Sequence, residues 1–193
     1  MELKDNKELN LLEKATVFAM MKHEGQTRKG SLVPYIVHPI EVASVVQTMT
    51  KDENVIAAAL LHDTLEDTET TYEELVYNFG EVIADLVRHE TENKRAELPA
   101  SETWEIRKSE QIEHIKNASL EVKMLALSDK LCNLRAIHSD YEKVSDIVWE
   151  KFNQKDKQKQ RWYFSEISQA TKELSEFDAY AEFGELIKKV FDK

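Results

Sequence analysis

The run VIAAALLHDTLED spans Val55 to Asp67. Its first seven residues, Val55 to Leu61, are apolar on every face, so a helix built from them has no side fit for water and belongs at the centre of a bundle. Asp52, just upstream, is placed to cap that helix by accepting a free backbone N–H. At the other end stand His62 and Asp63. Burying such groups beside Leu60 and Leu61 without a partner costs several kcal/mol, and a bound divalent cation is one way to offset it.

Upstream, Leu11, Leu12, Ala15, Phe18 and Ala19 recur at helical spacing, and Gly25 is a stop for that first helix. The polar loop GQTRKGSLVPY follows. Pro39 suits the first turn of a second helix carrying Ile40, Val42, Val45, Val46 and Met49, which puts His38 at or just before its start. Downstream, Thr71 and Glu74 fit a capping box ahead of Leu75, Val76 and Phe79, with Gly80 as the stop. Val82, Ile83, Leu86 and Val87 mark another helix. The charged stretch Glu92 to Ser101, ENKRAELPAS, reads as a surface loop before a helix from about Thr103 to Ala118. Ser119 caps LEVKMLALSDKLCNLRAIHS, whose Val122, Leu125, Leu127, Leu131 and Leu134 form a buried stripe around Asp129. Beyond it, Trp149, Phe152, Trp162, Tyr163, Phe164, Ile167, Tyr180, Phe183, Leu186 and Val190 predict two or three amphipathic helices that complete the core. The mixed-charge run NQKDKQKQR, Asn153 to Arg161, reads as a solvated face or loop.

Composition agrees. The chain has 193 residues, with only 4 Gly and 3 Pro, too few for the frequent turns of an all-β fold. An all-α chain of about eight to ten helices is expected, with residues 1–193 forming one domain. The one cysteine, Cys132, makes no internal disulfide and fits a reducing, cytoplasmic setting. The N-terminal MELKDNKELNLLEK is too charged for a signal peptide, and no apolar run approaches the roughly 18 residues of a membrane span. A net charge of −11 argues against nucleic acid as a partner, since that affinity comes from a basic surface. A phosphorylated small molecule remains open, held by a cation or by local Lys and Arg. Surplus exposed apolar surface on the last helices leaves room for a homodimer.

A cation beside His62 and Asp63 needs further ligands. His38, flanked by Ile36, Val37 and Pro39, and Asp129, flanked by Leu127 and Leu131, are the two other polar groups embedded in apolar sequence. Two imidazoles and two carboxylates suit Mn²⁺, Fe²⁺ or Zn²⁺, with Mg²⁺ also open, and leave positions free for water and a phosphate oxygen. No thiolate favours zinc. A carboxylate about one turn beyond the pair, Glu66 or Asp67, can point at the same water and accept its proton.

The order His38, His62-Asp63, Asp129 resembles the H…HD…D signature of HD-domain phosphohydrolases. YIVHP (Tyr35 to Pro39), HDTLED (His62 to Asp67) and SDKLCNLR (Ser128 to Arg135) are similar to those of the RelA/SpoT homologue hydrolases, small alarmone hydrolase type, across about residues 15–138, and the WYF of Trp162 to Phe164 is similar too. The resemblance implies an HD-domain helical bundle and hydrolysis of (p)ppGpp at its 3′ position to pyrophosphate and GDP or GTP, with one Mn²⁺. It implies Glu66 as the acid/base group with Asp67 orienting water or Glu66. Arg28 would pack against the guanine with Lys29 beside it, and Asn133 would bond ribose or phosphate. Lys94, Arg95, Arg107 and Lys108 are candidates for the polyphosphate tail. Two other functions share these residues: an HD phosphohydrolase acting on another nucleotide, such as NADPH or a nucleotide monophosphate, and a noncatalytic HD domain that binds a nucleotide.

Overall fold

The computed structural model of the chain describes residues 9–91, 95 and 99–192. Among the described residues the regular structure is helical: α1 (Leu11–Lys22), α2 (Val37–Met49), α3 (Glu53–Leu61), α4 (Thr64–Asp67), α5 (Tyr72–Phe79), α6 (Glu81–Glu90), α7 (Ala100–Asn117), α8 (Leu120–Val144), α9 (Lys157–Ala170) and α10 (Asp178–Phe191), with 3-10 segments at Ser145–Lys151 and Lys172–Leu174. The only extended pairing among the described residues is an isolated bridge between Thr27 and Pro34 in the loop after α1.

α3 is the buried centre. Ala57, Ala58 and Ala59 are fully buried, and their small side chains let α1 and α2 pack closely on it, while α6 and α8 cover its other faces. Asp52 caps it as expected, accepting from the Asn54 N–H. The helix does not run on through the His-Asp pair. Leu61 is its last residue, His62 caps its C-terminus, Asp63 stands at the N-cap of the separate turn α4, and the Asp67 N–H donates to the Asp63 carbonyl at 2.9 Å. In α2, His38 and Pro39 occupy the first turn, where backbone N–H groups have no intrahelical partner and proline loses nothing.

Two other sequence expectations change. Thr71 accepts from the Glu74 N–H, but the Glu74 carboxylate turns away to Lys22 at 2.7 Å, so the box at α5 is half formed. The complete box is at α1, between Asn10 and Glu13, where exposed polar sequence gave no clear signal. α7 starts earlier than Thr103, directly after Pro99, whose ring cannot continue a helix backwards. Of the stretch 92–101, residues 92–94 and 96–98 lie outside the described residues, as does the start of the chain, 1–8. Gly80 joins α5 to α6 at φ 85°, a conformation that favours glycine.

The 25-residue α8 is the longest element and packs on α2, α10 and the segment Ser145–Lys151. The aromatic tail completes the core: Phe183 is fully buried and meets Phe164 edge to face, and Phe191 packs against Phe164 and stacks on Trp149. The mixed-charge run is only half loop, because Asp156 caps α9 and Gln160 is buried in its first turn. Cys132 is buried, and burial pushes its thiol up to about 12, leaving it inert. No described helix is long and apolar enough to cross a membrane.

Candidate metal centre

Three elements deliver four polar side chains to one point. The first turn of α2 brings His38, the junction of α3 and α4 brings His62 and Asp63, and the middle of α8 brings Asp129. One ligand atom from each of His38, His62 and Asp129 lies within 4.8 Å of the others. Asp63 Oδ2 is 2.9 Å from His62 Nε2 and 3.7 Å from His38 Nε2, and Asp129 Oδ1 is 3.0 Å from His38 Nε2 and 3.8 Å from His62 Nε2. Ligands each about 2.0–2.2 Å from one ion cannot stand further apart than about 4.4 Å, and these pairs fit inside that limit.

The polar inventory points the same way. His62 Nδ1 faces the Ala59 carbonyl at 2.8 Å, which only an N–H can satisfy, so Nε2 is the ring atom left to face the cluster. That Nε2 is buried without a hydrogen-bond partner, as is His38 Nδ1. Burial pulls the His62 imidazole down, but the Asp63 and Asp129 carboxylates facing it prevail and leave it at about 9. Burial opposes the Asp63 charge too, yet His62 holds its carboxyl below the ordinary range. At Asp129 burial is outweighed by Lys130, whose ammonium contacts Oδ2, and by His38, so that carboxyl also stays ionised. Two carboxylates facing two imidazoles form a donor set suited to a divalent cation.

Around the four lies a polar cavity of about 210 Å³, lined also by Tyr35, Glu66, Asp67, Glu90, Arg107, Lys108, Gln111, Lys130 and Asn133. Tyr35 donates to Asp63 Oδ2 at 2.7 Å and lies 3.5 Å from Asp67 Oδ2. Asn133 Nδ2 donates to Asp129 Oδ1 at 2.6 Å, and Arg28 Nη2 donates to Asn133 Oδ1 at 3.0 Å. Arg28, Asn133 and Asp129 therefore form one chain of contacts. The cavity opens into a groove of about 650 Å³ that shares Tyr35, Arg107, Lys108, Lys130 and Asn133 with it and adds Arg28, Lys29, Trp104, Phe152 and Tyr163. Lys29 Nζ lies 5.6 Å over the Phe152 ring.

The structure thus gathers His38, His62, Asp63, Asp129, Glu66, Asp67 and Asn133 at one cavity and sets Arg28 and Lys29 in the adjoining groove. Of the four basic tail candidates it brings in Arg107 and Lys108. Arg95 instead pairs with Glu110 at 2.5 Å, and Lys94 lies outside the described residues. Sequence reading missed four cavity residues, among them Gln111, one turn beyond Arg107 on α7. Tyr35 and Lys130 had a signal, one turn before His38 and next to Asp129. Glu90 had none: it is 8% exposed, its Oε1 lacks a partner, and burial pushes it up to about 7 against the pull of Lys130.

An all-helical bundle closed around a buried His, His-Asp, Asp set defines the class, and the chain belongs to the HD-domain family, whose model matches residues 15–171. It is 44% identical over 63% of its length, and 66% of the relative's, to the guanosine-3′,5′-bis(diphosphate) 3′-pyrophosphohydrolase MESH1 of Danio rerio. To the same-named protein of Xenopus tropicalis it is 37% identical, covering 85% of this chain and 84% of that one. Among solved structures it is similar to a metazoan SpoT orthologue described as hydrolysing ppGpp, with TM-score 0.71, 26% identity and 97% of each chain covered.

Proposed function

We propose that the chain, acting as one catalytic domain, hydrolyses the 3′-pyrophosphate of (p)ppGpp, releasing pyrophosphate and GDP or GTP, with one Mn²⁺ held by His38, His62, Asp63 and Asp129. The observation that carries this reading is the convergence of His38, His62 and Asp129, with Asp63 beside both imidazoles, at the floor of a cavity that opens into a nucleotide-sized groove. The names of the MESH1 relatives support the choice of substrate. When bound, the ion neutralises phosphoryl charge and acidifies water in its coordination shell.

The chain's own groups do the rest. Glu66, in the turn after Asp63, is the group placed to accept a proton from the attacking water, and Asp67 beside it orients that water or Glu66. Tyr35 holds Asp63 and keeps its proton, because burial and then the Asp63 charge push its hydroxyl above the ordinary range. Lys130, Arg107 and Lys108 supply the positive charge that the attacked 3′-pyrophosphate needs in a chain of net charge −11. Asn133, already bonded to Asp129, is within reach of ribose or phosphate, and Arg28 offers the base a planar cation to stack on, with Lys29 at the groove wall. Water adds to the 3′-phosphorus, giving its proton to Glu66, the bond from that phosphorus to the ribose 3′-oxygen breaks, and the oxygen leaves with the proton Glu66 took. The same reading places the protein in the cytoplasm, on the strength of a single thiol.

The test is a panel of ppGpp, NADPH and nucleotide monophosphates, incubated with Mn²⁺ and the wild-type or Asp63→Ala chain. Pyrophosphate and GDP from ppGpp are expected, falling at least about 100-fold in the variant, since even outer partners of metal ligands are worth 10–100-fold. Release of orthophosphate only, or turnover of NADPH in preference to ppGpp, rules the proposal out.

A further inference from the structure

Away from the centre, α6 and α7 are bridged by two exposed histidines. His89, one residue before the end of α6, and His114, near the end of α7, have ring centroids 5.1 Å apart and planes 19° apart. His89 Nδ1 stands 3.2 Å from His114 Nε2. Glu110 lies one turn before His114 on the same face of α7, and the three side chains line a surface depression of about 140 Å³. Glu113 and both histidines border the next depression along. None of His89, His114, Glu110 and Glu113 lines the central cavity.

We infer that His89 and His114 form a second metal site, which takes a zinc-class cation through His89 Nδ1 and His114 Nε2, with water completing the coordination. The bite is right. Two imidazole nitrogens about 2.0–2.1 Å from one ion, at angles between octahedral and tetrahedral, stand about 2.9–3.4 Å apart, and 3.2 Å falls in that window. One N–H now spans the gap, satisfying one lone pair; a cation seated to one side of the N–N line, with both rings turned towards it, interacts with both. Burial and then the neighbouring His114 draw the His89 imidazole below its ordinary value, which keeps it neutral and able to ligate. The net charge of −11 raises the local concentration of cations. Imidazole ligands select zinc, copper or nickel over the harder ions that a carboxylate-rich centre accepts. Because α7 also carries Arg107, Lys108 and Gln111 into the central cavity, an ion here ties that wall to α6.

The chain is first loaded with Mn²⁺, then dialysed against micromolar Zn²⁺, and bound zinc is counted by elemental analysis for the wild type, His89→Ala and His114→Ala. Each variant is expected to bind one zinc equivalent fewer than the wild type, whatever occupies the central site; equal counts in all three overturn the site. A second measurement needs no variant. In the wild-type chain, Zn²⁺ should slow carbethoxylation of His89 and His114 as mapped by mass spectrometry, and unchanged modification at both rejects the assignment.

Discussion

Tyr35 and Glu90 show how single side chains set the properties of the centre. The Tyr35 hydroxyl is a fixed donor to Asp63 at 2.7 Å. Tyr35→Phe should weaken metal binding by about 10–100-fold with the fold intact, read from a metal titration alongside a melting curve. Glu90 titrates in the opposite sense from most carboxyls, because burial lifts it from 4.5 to about 7 in the folded chain. Between those values the folded state holds a proton that the unfolded state has lost, so stability declines as pH rises through the interval and the full penalty stands above pH 7. For a shift of this size it is on the order of 3 kcal/mol. In metal-free protein, Glu90→Gln should remove that slope and be the more stable form at pH 8 in urea unfolding. A variant whose stability tracks the wild type across pH 5–8 contradicts this account.

Among the helices, α3 does the positioning: its fully buried alanines fix its depth, and its end sets where His62 and Asp63 project. Asp52→Ala removes the side-chain acceptor for the Asn54 N–H and should cost about 1 kcal/mol in urea unfolding, leaving metal affinity unchanged because the cap sits at the far end from His62. The break between α3 and α4 has a chemical consequence. Glu66 and Asp67 would lie one turn beyond the pair if the helix extended past Asp63; the structure turns the chain at Asp63 and still returns both carboxylates to the cavity wall. Capping was legible wherever a short polar residue preceded an apolar run, as at Asp52, Ser119 and Thr71, and illegible at Asn10, where neighbouring polar residues blur the start.

Over the whole molecule, the centre ties α2, the α3–α4 junction and α8 together, so a bound ion links segments up to 91 residues apart in sequence. Stripping it with a chelator should lower Tm, and the gap between holo and apo forms should widen as pH rises. In the apo form, His62 at about 9 contributes stability that is complete below its unfolded value of 6.5 and is lost as pH climbs through 9. The metal-bound ring carries no such proton to lose. Melting curves with and without chelator at pH 6.5 and pH 9 test this, and an equal gap at both contradicts it. The sequence by itself determined the helical class, the central place of Val55–Leu61 and the four candidate ligands, since apolar periodicity and polar residues stranded in apolar runs are local signals. Only the tertiary structure decided that His38, His62 and Asp129 come within 4.8 Å of one another with Asp63 beside both imidazoles, and that Arg28 bonds Asn133 from 105 residues away. It alone showed that Arg95 turns to Glu110, that buried Glu90 faces the cavity, and that His89 meets His114. Such contacts depend on how helices dock, and docking is set by packing among distant segments that no local pattern encodes.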